Sequence, residues 1–161
     1  MTLFDRAVNV VLANEGSTFT DHPSDRGGPT KYGISQVFHP DIDVKNLTRE
    51  QAKTIYKVRY WQGRRYDELP DWVAIKTFDL AVNMGDRNAA KILQRALRAV
   101  GYDLKDDGII GNITIGAAKQ ADEFATVVAM RSEAAGYYRS LAERKTDQAV
   151  FLRGWLNRAY A

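Results

Sequence analysis

Apolar residues recur at three- and four-residue spacing along most of this chain, and one stretch, Ser17 to Ser35, breaks that rhythm. A chain patterned in this way buries its apolar stripes by packing helices together, with the interruption set apart as a small irregular or β-like lobe. The expected fold class is therefore mainly α. Leu3, Phe4, Ala7, Val8, Val11 and Leu12 form the first stripe, and Glu15 and Gly16 stand where that helix must stop. Between Ser17 and Ser35 lie three glycines, two prolines, Asp21, Asp25 and a cluster of hydroxyls, a composition that favours turns or short hairpin strands.

Beyond that lobe the helical rhythm returns. Thr48 and Gln51 fit a capping box that opens a helix running to about Trp61, with Ala52, Ile55, Tyr56 and Tyr60 on its inner face. Asp71 suits the cap of a helix through Met84, with Gly85 as its stop. Ala89 to Val100 predicts another helix, closed by Gly101, and Tyr102 to Asn112 a turn-rich connection. A helix from Thr114 to Arg144 with a break near Gly136 follows, then a last one from Asp147 to the C-terminus.

The chemistry is sought in the irregular stretch and its borders. Glu15 is the carboxylate that an apolar helix delivers to the mouth of the polar segment, a half-buried position by construction. Desolvation disfavours its ionised form, so this side chain is expected to hold a proton and serve as a general acid. Glycoside hydrolysis also needs an ionised carboxylate. Asp25, followed by Arg26, Gly27 and Gly28, sits in a tight turn where backbone N–H groups and a cation would keep it charged, and Asp21 is its nearest rival. Thr30, five residues further on, is placed to set a hydroxyl beside an attacking water. Asp79 and Asn83 stand four apart on one helical face, where they either bind a sugar or anchor a neighbouring segment. Tyr32, Tyr60 and Trp61 are either sugar-stacking rings or core.

These residues carry a resemblance. Asn14-Glu15-Gly16 followed by Asp25-Arg26-Gly27-Gly28-Pro29-Thr30-Lys31-Tyr32-Gly33-Ile34-Ser35 resembles the signature of glycoside hydrolase family 108, peptidoglycan muramidases common among phage endolysins. Phe78-Asp79-Leu80-Ala81-Val82-Asn83-Met84-Gly85 is similar to that family's second block, and Ala89 onward resembles the peptidoglycan-binding region often fused to it. The chain departs from the family at Ser17, Thr18 and Phe19, where a second glycine and an aromatic are common. The resemblance implies a lysozyme-like fold, a catalytic region over residues 1–86, and a peptidoglycan-binding-like helical region over 87–161 packed on it as one unit. It implies a general-acid role for Glu15 and a catalytic trio of Glu15, Asp25 and Thr30, with Tyr32, Asp79 and Asn83 as substrate contacts. The implied reaction is cleavage of the β-1,4 bond between N-acetylmuramic acid and N-acetylglucosamine. A lytic transglycosylase and a non-catalytic wall-binding protein are the alternatives.

Other classes are excluded by what the chain lacks or places badly. With no cysteine there is no disulfide framework, thiol nucleophile or thiolate metal site. Asp103 to Thr114 has Lys105 and Thr114 where a calcium loop needs ligands, and His22 and His39 are isolated, so no metal or cofactor is expected. The net charge of +3 fits anionic partners only weakly. Arg139, Arg144, Lys145, Arg153 and Arg158, interleaved with aromatics near the C-terminus, read as faces of amphipathic helices rather than a nucleic-acid clamp. No apolar run approaches the roughly 20 residues that span a bilayer, and Asp5 and Arg6 interrupt the first one, so neither a membrane span nor a signal peptide is expected. The expected partner is peptidoglycan glycan, met by a monomer that waits in the host cytoplasm and acts on the periplasmic wall at lysis.

Overall fold

The computed structural model describes residues 1–21 and 28–161. The described chain divides into two compact units, Met1–Gly63 and Arg64–Ala161. Both are dominated by helices, as the apolar spacing requires.

The first unit opens with α1 (Leu3–Glu15). Its start is a capping box: the Asp5 N–H donates to the Thr2 hydroxyl at 3.1 Å, and the Thr2 N–H donates to the Asp5 carboxylate at 2.9 Å. Gly16, at φ 74°, ends the helix by donating its N–H to the Leu12 carbonyl. The expected lobe is a hairpin of two short antiparallel strands, β1 (Thr30–Lys31) and β2 (Ile34–Ser35), in the register Thr30 to Ser35 and Lys31 to Ile34. Tyr32 and Gly33 make its two-residue turn with φ 53° and 74°, the paired positive values that match the twist of a tight hairpin. Thr20 pairs with Thr30 on the other edge through both backbone hydrogen bonds.

Helix α2 (Arg49–Tyr56) begins at the predicted capping box, with Thr48 and Gln51 bonded reciprocally. It then loosens into a π-helical turn, Lys57–Trp61, that keeps the expected end point but changes the register of the last residues. Trp61 is thereby set edge-on to Phe4 of α1, ring centroids 5.4 Å apart. Phe4, Ala7, Val8, Val11 and Leu12 of α1 join Ile34, Val44, Ala52, Ile55 and Tyr56 in the apolar interior of this unit.

The second unit is built on α3 (Asp71–Met84), whose residues Val73 to Ala81 are all buried. Pro70 rather than Asp71 occupies its N-cap, and Asp71 is the first helical residue, where its charge still favours the helix dipole. Helix α4 (Asp86–Ala99) follows after Gly85 alone, three residues earlier than the apolar rhythm suggested. The long helix expected from Thr114 is two helices, α5 (Asn112–Gln120) and α6 (Glu123–Arg144), and the chain runs through Gly136 unbroken. The break lies at Ala121 and Asp122 because Asp122 caps α6, its carboxylate accepting the Ala125 N–H at 2.7 Å. A 3-10 turn (Thr146–Phe151) leads into α7 (Leu152–Tyr160), a later and shorter last helix than the pattern predicted. Buried Gln94 organises the Tyr102–Asn112 connection, donating to Asp107, the Ile109 carbonyl and Thr114 while accepting the Gly108 N–H.

Candidate active site

The last residue of α1 is Glu15, half-buried, with its carboxyl laid against the hairpin turn. The fit is set by a missing methyl group. A Cβ at Gly33 would stand 2.6 Å from Glu15 Cγ, 2.7 Å from Glu15 Cδ and 2.7 Å from the Tyr56 hydroxyl oxygen. No side chain fits there, and φ 74° is unfavourable for any other residue. Tyr56, buried on α2, donates its hydroxyl to the carbonyl of Tyr32 at 2.9 Å, so the same ring that lies beside Glu15 also holds the turn. Three distant parts of the sequence thus meet around one carboxyl.

Thr30 sits on β1 with its hydroxyl donating to the Gly28 carbonyl at 2.9 Å, which leaves the oxygen's lone pairs as acceptors. Gly28 is itself at φ 63°. Tyr32 is half-buried at the tip of the turn, with Lys31 Nζ 5.6 Å from its ring centroid. Asp21 is exposed just before the hairpin. Asp25 and His22 lie outside the described residues.

A second set of contacts, not anticipated from the sequence, supports the hairpin from the other side. His39 is buried, its Nδ1 3.2 Å from the Ser35 carbonyl and its Nε2 3.1 Å from the Tyr60 hydroxyl. A carbonyl only accepts, so Nδ1 carries the hydrogen in this pair. Tyr60 therefore serves packing and hydrogen bonding, and Trp61, 4% exposed, is core. Of the three candidate stacking rings, Tyr32 is the one at the lobe's tip. The signal for His39 was its spacing of four from Ser35, too ordinary to single out.

In the second unit the two candidates on α3 have different surroundings. Asp79 is 1% exposed and ion-paired with Arg158 of α7 at 3.1 Å, the geometry of an anchor. Nearby Lys76, also buried, donates to the Arg158 carbonyl at 2.7 Å, and desolvation pulls its pKa down to about 8. Asn83 is exposed and accepts the Tyr138 hydroxyl at 2.7 Å. Arg95 and Arg98 hydrogen-bond Asp106 and hold its carboxyl well below the usual range, so this acid is a structural ion-pair member. Among the described residues no group of three His, Asp or Glu side chains is placed to hold a metal ion, and no helix is long and apolar enough to cross a membrane.

Glu15 is thus a half-buried acid moulded against a glycine turn. A family model described as glycosyl hydrolase 108 matches residues 3–85, which contain the whole motif. The chain belongs to the glycosyl hydrolase 108 family. A second model, described as a predicted peptidoglycan domain, matches residues 88–160. The boundary between the matches falls at the junction of α3 and α4, within the second compact unit. A solved structure from Brucella abortus, that of SagA, is similar at 29% identity and a TM-score of 0.76, over 97% of this chain and 88% of that one. No curated protein matches. The fold is mainly α and lysozyme-like, and this member of the glycosyl hydrolase 108 family is a glycoside hydrolase that acts on peptidoglycan.

Proposed function

We propose that the chain is an N-acetylmuramidase of the phage endolysin type, cleaving the β-1,4 bond between N-acetylmuramic acid and N-acetylglucosamine and so lysing bacterial cells. The observation that carries this reading is the Glu15 carboxyl, half-buried at the end of α1 and seated against Gly33. Glu15 gives its proton to the glycosidic oxygen as the bond from the anomeric carbon breaks. Water then adds at that carbon, oriented by Thr30, and its proton passes to Asp25. That course, with inversion, fits a separation of roughly 6.5–9.5 Å between the two carboxyls; near 5 Å the Asp25 carboxylate instead bonds to the anomeric carbon as the glycosidic bond breaks, and water then displaces it while giving its proton back to Glu15, with retention. Tyr32 offers a ring face to the sugar and Asn83 an amide to an N-acetyl group, whereas Asp79 acts only through the packing of Arg158. Residues 1–86 form the catalytic region and 87–161 the wall-binding region of a monomer released from the host cytoplasm onto the periplasmic wall.

The test is turbidity loss of chloroform-treated Gram-negative cells with mass spectrometry of the released fragments. Glu15→Gln is expected to lower the rate by about 10²–10⁴-fold with the fold intact. Full activity in that variant ends the proposal. Asp25→Asn is expected to cost less, and an unchanged rate there moves the base role to Asp21 or elsewhere. Reducing ends on the products fit hydrolysis; anhydro-muramyl ends show a lytic transglycosylase instead, and binding to sacculi with no soluble product shows a wall-binding protein.

A further inference from the structure

The geometry points to Tyr56 as a positioning residue that holds the proton-bearing form of Glu15 until a sugar oxygen takes its place. This rests on the reading of Glu15 as the general acid. The Glu15 carboxyl carbon and the Tyr56 oxygen each stand 2.7 Å from the position of the methyl group that Gly33 lacks, so the two atoms lie within twice that distance of one another. A tyrosine hydroxyl has one hydrogen, and Tyr56 commits it to the Tyr32 carbonyl at 2.9 Å. What it turns toward Glu15 is therefore a lone pair. A lone pair has nothing to offer a carboxylate but accepts a hydrogen bond from a carboxylic acid, and a bond made only to the neutral form favours that form.

The arrangement is rigid for physical reasons. Tyr56 is 1% exposed and its ring packs on Tyr60, centroids 5.3 Å apart. Tyr60 in turn meets His39, which bonds the β2 carbonyl of Ser35. The hairpin is thus held through the Tyr32 carbonyl on one side and the Ser35 carbonyl on the other, and its turn glycine leaves space for the acid. When a glycan binds, its glycosidic oxygen replaces Tyr56 as the acceptor of the Glu15 proton. The hydroxyl keeps its bond to Tyr32 throughout, so no rearrangement of the turn accompanies the exchange.

The experiment is the pH profile of kcat/KM on purified sacculi for the wild type, Tyr56→Phe, Gly33→Ala and Glu15→Gln. Phenylalanine keeps the ring and removes the acceptor. The expected result for Tyr56→Phe is an alkaline limb moved to lower pH by about 0.5–1 unit, the amount one hydrogen bond supplies, with near-normal activity at acid pH. A limb position does not depend on the fraction of active molecules, so a partly folded preparation still reports it. Gly33→Ala, which crowds the same pair without removing either group, is expected to displace the limb as well. A uniform loss at all pH values, an unmoved limb in Tyr56→Phe whatever Gly33→Ala does, or a shift to higher pH in Tyr56→Phe overturns the proposal. Glu15→Gln separates the two claims: an inactive Glu15→Gln beside an unmoved Tyr56→Phe limb removes the Tyr56 role alone, and an active Glu15→Gln removes the acid itself.

Discussion

The two compact units each contain an acidic side chain delivered by a helix, and they treat it in opposite ways. In the first, Glu15 ends α1 half-buried, and the chain around it is bent to make room, with positive φ at Gly16, Tyr32 and Gly33. In the second, Asp79 lies mid-helix, 1% exposed, locked to Arg158 and close to Lys76. A carboxyl that must give away a proton needs access and a neighbour that tolerates its neutral form. One that anchors a helix needs a fixed countercharge and no solvent. Positive-φ residues thus border Glu15, whereas Asp79 lies inside a regular helix.

Exchanging acid for amide at each position separates the two uses. Glu15→Gln is expected to remove about 10²–10⁴-fold of wall-lysing activity while denaturant unfolding stays within about 1 kcal/mol of wild type. Asp79→Asn should do the reverse. It leaves Arg158 buried without its countercharge, a loss of about 3–5 kcal/mol when one partner of a buried pair is removed, read as a lowered denaturation midpoint. Specific activity per folded molecule should be preserved. If Asp79→Asn lowers the rate without lowering the midpoint, Asp79 belongs to the chemistry and the contrast is void.

Lys76 sharpens the same contrast through pH. Its folded-state pKa is pulled down by desolvation to about 8 from the ordinary 10.5, so between those values the unfolded chain binds more protons than the folded one. Stability contributed by this group therefore rises with pH across that window and is least below it. The two-and-a-half-unit displacement corresponds to about 3 kcal/mol at most. Thermal melts of the wild type and Lys76→Met from pH 7 to 10.5 should converge at the alkaline end, with the variant the more stable near neutrality if its methyl fills the space of the ammonium. Parallel curves would mean that the hydrogen bonds to the Arg158 and Ala161 carbonyls satisfy the charge fully.

How much of this was legible in the sequence follows from the range of each interaction. The stop at Gly16, the Thr48 and Gln51 box and a hairpin between Ser17 and Ser35 are decided within a few residues, and local chemistry reveals them. The inner face of α2, Tyr56 included, was legible from spacing, but the partner of its hydroxyl was not. Residues 15, 33 and 56 converge through tertiary packing that leaves no periodic trace. The π-helical turn was missed for a related reason: it ends at Trp61, whose ring meets Phe4 of α1, a contact more than fifty residues away in sequence. Asp79 shows the converse. Its spacing from Asn83 suggested one shared face, yet the partner that fixes its role, Arg158, lies 79 residues on.

Two glycines give the smallest test and the most direct one of what each region requires. Gly136 was expected to break a helix, because glycine in a helix interior is less favourable than alanine by about 0.5–1 kcal/mol. Helix α6 runs through it because Ala134, Ala135 and Tyr138 beside it are buried, and packing on that face outweighs a local preference of this size. A Cβ at Gly136 meets nothing within 4 Å, whereas one at Gly33 meets Glu15 and Tyr56 at 2.6–2.7 Å. Gly136→Ala should therefore raise stability by about 0.5–1 kcal/mol, a small upward shift of the melting temperature, with the lytic rate unchanged. The same substitution at Gly33 should lower both. A loss of lysis in Gly136→Ala with the gain in stability intact would mean that the exposed face of α6 lies close against the wall polymer, and that the second unit needs a bare backbone for contact as the first needs one to seat Glu15.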